Sequence, residues 1–361
     1  MSNTISINNR TIGQGHPTYI IAEMSGNHNN DFDRAVEIIH AMKDSGADAV
    51  KLQTYTADTL TINCDREEFT IGKGTLWEGK TLYELYKEAY TPWDWHPKLK
   101  KIANDLGMDL FSTPFDPSAA DFLEDMNVPA YKIASFELVD IPLIQYVAAK
   151  GKPIIMSTGM GTVEEIADAV TAVKDAGNDQ LVLLKCTSAY PAKPEDANLN
   201  TMKDMADRFD VSVGLSDHTL GHSVPIAATV LGGCVIEKHF CMTRDEPGVD
   251  SAFSLEPHEF KEMVDIVRAT EANPDSATID EAVLGKVQYR NEGEKSCIPF
   301  RRSLFIVKDM AEGEVCTEEN VRSIRPGNGM PPKELPNVLG KKVRTATQRG
   351  TPLSEDLLIA D

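Results

Sequence analysis

Residues 19–54 read YIIAEMSGNHNNDFDRAVEIIHAMKDSGADAVKLQT: a β-branched run, an amphipathic stretch opened by Asp31, and a second short run carrying Lys51 and Gln53. Apolar residues three and four apart make one buried helix face, whereas a short apolar run makes a strand buried on both sides. The stretch therefore predicts a strand (Tyr19 to Met24), a helix and a parallel strand (Ala49 to Thr54). Strand runs recur at Asp109 to Pro114 (DLFSTP), Ala130 to Ser135 (AYKIAS), Pro153 to Thr158 (PIIMST), Leu181 to Thr187 (LVLLKCT), Val211 to Asp217 (VSVGLSD) and Cys234 to Phe240 (CVIEKHF). Helical patterns such as Phe32 to Lys43, Pro117 to Met126, Thr162 to Ala176 and Pro257 to Thr270 separate them, several behind an Asp, Ser or Thr in N-cap position. Eight β-α units in roughly 250 residues predict an α/β fold, a (β/α)8 TIM barrel. An open doubly wound sheet alternates in the same way, but no G-x-G-x-x-G follows the first strand, as dinucleotide binding on such a sheet requires.

The barrel is assigned residues 1–275 of the 361. A polar bridge, 276–296, leads to 297–361, where short strand-like runs and many Gly and Pro predict a small β-rich domain. Lys and Arg number 36 against 56 Asp and Glu, a net charge of -20, which argues against nucleic acid or an anionic membrane as partner. The charge is uneven: 11 basic and 9 acidic residues from Lys295 onward against 25 and 47 before it, a second sign of a boundary. Hydrophobic residues at 41% and charged residues at 25% suit a well-buried core. Six widely spaced cysteines with no C-x-x-C pair read as free thiols of a cytoplasmic protein. No apolar signal core opens the chain, and the longest uncharged apolar stretch, Val224 to Ile236, is broken by Pro225 and two glycines, so no membrane role is expected.

One connection is out of scale. More than thirty residues, Tyr55 to Thr91, separate the second strand from the helix near Trp93. Loops of that length in compact domains are usually functional. Within it Leu82, Leu85, Tyr86 and Ala89 fit a short amphipathic helix, read as a packed cover over the barrel mouth or a lid that shapes the substrate pocket.

Polar residues stand at the C-terminal end of every predicted strand: Glu23; Lys51 and Gln53; Thr113; Lys132 and Ser135; Ser157 and Thr158; Lys185 and Thr187; Ser216, Asp217 and His218; Lys238 and His239. Any one alone reads as a solvated or hydrogen-bonded strand end. Eight together converge on one mouth, where a barrel carries its active site. Four lysines and several hydroxyls suit phosphate or carboxylate oxygens. His218 and His239 end neighbouring strands, so they either share a catalytic cation or each hydrogen-bonds a neighbour. Glu23 reads as an acid/base at the mouth, or as the ion-pair partner of a strand-end lysine.

IAEMSGNHN, AVKLQT, FSTPFD, YKIAS, STGM, KCTSAYP, GLSDHT and EKHF, followed by RRSL and RPGNG, resemble the sialic acid synthase family of nonulosonate synthases, in order from about Ile20 to the C-terminus. The resemblance implies a barrel followed by an antifreeze-like (SAF) domain, working as a domain-swapped homodimer. It implies condensation of phosphoenolpyruvate with an open-chain amino sugar, assisted by a divalent cation, Mn2+ first and Mg2+ or Co2+ as alternatives. His218 and His239 would hold the metal, with Glu23 as acid/base. Lys51, Thr113, Lys132, Ser135, Ser157 and Ser216 would grip phosphoenolpyruvate, and Gln53, Tyr190 and Asp250 would face the sugar. Arg325 would reach across from the partner subunit. The long loop and KCTSAYPA resemble the branch that uses a diacetamido-trideoxyhexose. Ser188, also placed at the substrate, stands where sialic acid synthases commonly have Asn, which weighs against N-acetylmannosamine. Two rivals remain at this stage: a Schiff-base aldolase using Lys132, and a non-catalytic sugar- or ice-binding protein.

Overall fold

The computed structural model describes residues 4–72, 77–246 and 248–359. Strands β1 (Ile5–Ile7) and β2 (Arg10–Ile12) form an antiparallel hairpin. Eight parallel strands then close a barrel: β3 (Tyr19–Glu23), β4 (Ala49–Thr54), β5 (Asp109–Pro114), β6 (Tyr131–Ile133), β7 (Ile154–Ser157), β8 (Leu181–Cys186), β9 (Ser212–Asp217) and β10 (Val235–His239), the last pairing back onto β3 with His239 beside Glu23. The predicted (β/α)8 TIM barrel is present, strand for strand.

The helices are α1 (Phe32–Asp44), α2 (Ala57–Leu60), α3 (Leu82–Ala89), α4 (His96–Asp105), α5 (Pro117–Asp125), α6 (Ile141–Ala148), α7 (Val163–Asp175), α8 (Asn200–Phe209), α9 (Ser223–Val230), α10 (Pro257–Ala272), α11 (Glu281–Leu284) and α12 (Leu335–Val338). Side chains fix where several begin. Asp31 accepts from the Arg34 N–H, Asp116 from Ser118 and Ala119, and Thr162 and Glu165 cap each other's backbone.

Strand period decides which polar residues reach the mouth, because successive side chains point to opposite faces. Tyr19, Ile21, Ala49 and Phe111 point into the barrel and share an apolar cluster with Ile5, Ile7 and Ile12 of the hairpin. The hairpin thus packs on the N-terminal end of the barrel, a role the polar ISINNRTI does not announce. Two residues further along the same faces come Glu23, Lys51 and Thr113. Lys185, Asp217 and Lys238 have the opposite parity. Lys238 is buried against Asp217 at 2.5 Å in the layer between barrel and helices, and Lys185 donates to the Cys186 carbonyl at 3.0 Å. The four-lysine anion pocket expected from the sequence is corrected to two lysines, Lys51 and Lys132.

The long β4–α4 excursion carries α3, whose buried residues are the four expected, Leu82, Leu85, Tyr86 and Ala89. Residues 73–76 of the lid reading lie outside the described residues. Beyond the barrel, β11 (Ser303–Ile306) pairs antiparallel with β12 (Val321–Ile324), over a separate core that includes Leu304, Ile306, Val321, Val343 and Leu353. This small domain rests on the excursion: Phe305 meets Phe69 at 5.3 Å, and the Arg325 N–H donates to the Leu60 carbonyl at 3.0 Å. Its cations meet barrel anions, Arg301 with Glu165 at 2.9 Å, Arg302 with Glu137 at 3.1 Å and Lys333 with Asp168 at 3.0 Å. The segment before it is fastened down as well. Glu294, fully buried, accepts the N–H groups of Met160 and Ser188, each at 2.8 Å.

Candidate active site

The inward strand ends and the two covering segments enclose a cleft of about 910 Å³, partly open to solvent. Its floor is ionic. The Glu237 carboxylate lies 2.9 Å from the Lys51 ammonium and 3.8 Å from that of Lys132, with the Ser216 hydroxyl donating to it at 3.4 Å. Lys51 also pairs with Glu23 at 2.7 Å, the ion-pair alternative foreseen for that glutamate. Gln53 and the Ser25 N–H both donate to the other Glu23 oxygen at 3.1 Å. Lys132 donates to the Ser157 hydroxyl at 2.7 Å. Burial pushes the Lys51 ammonium down to about 8; Glu237 opposes the fall and the Lys132 charge adds to it. Burial works against the Glu237 carboxylate, but Lys132 and Lys51 overcome it and hold the group below its ordinary value.

The histidines stand at one side of this floor, ring centroids 5.4 Å apart. His218 Nδ1 donates to the Thr187 carbonyl at 3.0 Å, so Nε2 is the ring nitrogen left for a ligand. His239 Nδ1 is buried without a hydrogen-bond partner, 3.8 Å from the Asp250 carboxylate. Burial, with the charges of His218, Lys51, Lys132 and Lys238, keeps His239 well below its usual value and so neutral, the state in which imidazole ligates metals. Two facing imidazoles and an orphaned nitrogen fit a divalent cation. No cluster of three or more His, Cys, Asp or Glu suited to a metal occurs among the described residues, so the remaining positions of such an ion fall to water or substrate oxygens.

The upper wall is aromatic. Tyr55, Trp77, Tyr86, Phe115, Phe136, Tyr190, Phe253 and Phe300 line it, drawn from the excursion, four strand loops and the segment before the small domain. Arg325 enters among them. Glu137 accepts from its Nη2 at 2.8 Å and 3.1 Å, and its guanidinium carbon lies 4.6 Å from the Phe136 ring centre. In the single chain Arg325 reaches the cleft of its own barrel, above the connecting segment that Glu294 fastens beside the β7 and β8 loops. Removing Glu137 would strand Arg302 and Arg325 as unpaired buried cations, a change that typically costs about 3–5 kcal/mol.

Of the residues singled out in the sequence, Lys51, Gln53, Lys132, Ser135, Tyr190, Ser216, His218, His239, Asp250 and Arg325 line the cleft. Glu23, Thr113, Ser157 and Ser188 stand behind that lining. The Thr113 hydroxyl is buried without a partner, and the Ser188 hydroxyl lies 3.8 Å from Cys186 Sγ. Asn27 and His28, noted beside Glu23, are structural: Asn27 donates to the Phe240 carbonyl at 2.9 Å, and His28 bonds Thr91 at 2.9 Å. The reading missed Glu237, although its parity with His239 puts it on the same face. It also missed Cys186, inward-facing by the same count, whose thiol is opposed by burial yet drawn down to about 7 by His218.

A closed parallel barrel with two lysines, a histidine pair and a polar ring at its C-terminal mouth is the architecture of a barrel enzyme. Residues 38–277 match the NeuB family and residues 301–359 match the SAF domain. The chain belongs to the NeuB family, and it is a synthase of the transferase kind. It is 44% identical over 342 residues to a pseudaminic acid synthase of Helicobacter pylori, covering 94% of this chain and 97% of that one. An N,N'-diacetyllegionaminic acid synthase of Legionella pneumophila is 39% identical over 347 residues, covering 94% of each. The crystal structure of the spore coat polysaccharide biosynthesis protein SpsE from Bacillus subtilis superposes over 99% of both chains, at 30% identity and a TM-score of 0.86.

Proposed function

We propose that the chain condenses phosphoenolpyruvate with 2,4-diacetamido-2,4,6-trideoxy-L-altrose to give pseudaminic acid and phosphate. The observation that carries this reading is the division of one cleft into an ionic floor that presents two lysines and an aromatic wall. Phosphoenolpyruvate is small and nearly trianionic, and the Lys51 and Lys132 ammonium groups with the Ser135, Ser157 and Ser216 hydroxyls match its oxygens. A sugar bearing two acetamido methyls and a 6-methyl is unusually apolar, and aromatic side chains suit it. The 44% identity to pseudaminic acid synthases favours the L-altro isomer.

In this reading carbon 3 of phosphoenolpyruvate bonds to the aldehyde carbon, water adds at carbon 2, and phosphate leaves with cleavage of the C–O bond. His218 and His239 would hold a divalent cation, Mn2+ first, which would supply Lewis acidity toward the aldehyde. Glu23, held by Gln53, the Ser25 N–H and Lys51 just behind the lining, would orient the attacking water, and the lysines would neutralise the departing phosphate. All six cysteines are free, in keeping with a reducing cytoplasm, and no helix among the described residues is long and apolar enough to cross a membrane.

The test offers phosphoenolpyruvate and Mn2+ with three sugars: the L-altro compound, its legionaminic-type stereoisomer and N-acetylmannosamine. Phosphate release and product mass are read. Preferred turnover of the L-altro sugar, lost in EDTA and in His239→Ala with the fold intact, is expected. Preference for N-acetylmannosamine, or borohydride trapping at Lys132 with activity surviving EDTA, overturns the reading.

A further inference from the structure

We infer that Phe136 is the specificity-determining residue that reads the apolar end of the sugar and turns away sugars carrying a hydroxyl there. The inference rests on the proposed reading of the substrate as a 6-deoxy sugar and names the side chain responsible.

Three consecutive residues after β6 divide three tasks. Ser135 turns to the floor, where its hydroxyl accepts the Gly159 N–H at 3.1 Å. Glu137 turns to the domain seam, fully buried, and binds Arg302 and Arg325. Between them Phe136 is left half-buried on the cleft wall. Both neighbours are pinned, so the backbone that carries its ring has little freedom. The ring is boxed as well. It lies nearly parallel to Tyr190 at 6.5 Å, edge-on to Phe300 at 6.4 Å, and under the Arg325 guanidinium at 4.6 Å.

Position follows from the floor. Anion-binding lysines and the histidine pair fix the reacting end of both substrates at the strand ends. Tyr190 bridges the two, 4.6 Å from the His218 ring and 6.5 Å from that of Phe136, so an extended sugar whose aldehyde is at the histidines runs along Tyr190 toward Phe136. The Arg325 hydrogen bonds go to Glu137 and Tyr86, and Phe136 offers none. A hydroxyl placed against this ring gives up water for a face that offers no hydrogen bond, whereas a methyl loses nothing.

The experiment compares the 2,4-diacetamido-2,4,6-trideoxy sugar with its 6-hydroxy counterpart, for the native enzyme and for Phe136→Ser, Phe136→Ala and Phe136→Leu. Discrimination by a hydrophobic pocket runs at about 10–200-fold per group. Phe136→Ser and Phe136→Ala are expected to lower the kcat/KM ratio of deoxy to hydroxy sugar at least about tenfold, Phe136→Leu to keep most of it, and all three to leave the KM for phosphoenolpyruvate within about threefold. An unchanged ratio in Phe136→Ser and Phe136→Ala overturns the inference. So does an equal loss on both sugars, which marks a merely structural ring. A native enzyme that prefers the 6-hydroxy sugar would instead refute the substrate reading on which the inference rests.

Discussion

Glu237 sits between two ammonium groups that have work to do for an anion, and its charge sets how long Lys51 stays protonated. Lys51 is held near 8, so the alkaline limb of kcat/KM for phosphoenolpyruvate should fall at about that pH, as the free enzyme loses the cation. Two substitutions should move the limb in opposite directions. Lys51→Arg keeps its charge and should displace the limb upward, while Glu237→Gln removes the counter-charge and should bring it below 8. A limb that stays in place in both variants would remove Lys51 as its cause. Much of this floor was legible, since Lys51, Lys132 and Ser216 stand at strand ends. Glu237 and Cys186 were obscured because EKHF and KCTS offer more conspicuous neighbours, and only counting by twos separates the side chains that face the cleft from Lys238 and Lys185.

Among the elements, the excursion between β4 and α4 depends on two neutral histidines. His96 bonds Thr54 at 2.9 Å and His28 bonds Thr91 at 2.9 Å, at the base and the end of the excursion. Burial pushes both down to about 4, below the value of an exposed histidine, so the unfolded chain binds more protons through the interval between. Stability should therefore be complete above about 6.5 and fall as the pH drops toward 4, by up to about 3 kcal/mol for each group. Thermal melts across that range are expected to show the loss, with His96→Gln flattening it; a melting temperature indifferent to pH there would refute the linkage. Elements defined by local period, the eight strands and α3, could be read directly. The β1–β2 hairpin could not, because strands of three residues around the turn NN leave too short a pattern. The aromatic wall escaped for another reason: Tyr55, Phe136 and Phe300 are brought together only by the closed fold.

For the molecule as a whole, the acidic body and basic tail counted in the sequence become the two sides of one seam, with Arg301, Arg302 and Arg325 against Glu165 and Glu137. That seam lies within one chain. Mixing Arg325→Ala with His239→Ala subunits tests the domain exchange that the family resemblance implies: recovered turnover is expected if small domains are exchanged between subunits, and none if each cleft is completed by its own chain, because every cleft then lacks one of the two groups.

Glu294 gives the seam a further meaning. It lies in residues 278–300, which neither matched region includes, yet its carboxylate satisfies two backbone donors on the barrel's rim. A chimera that grafted a relative's small domain at either matched boundary would inherit the cores of both parents and could still lose the clasp between them. The modular unit that evolution or an engineer can exchange is therefore the small domain together with the strap that precedes it.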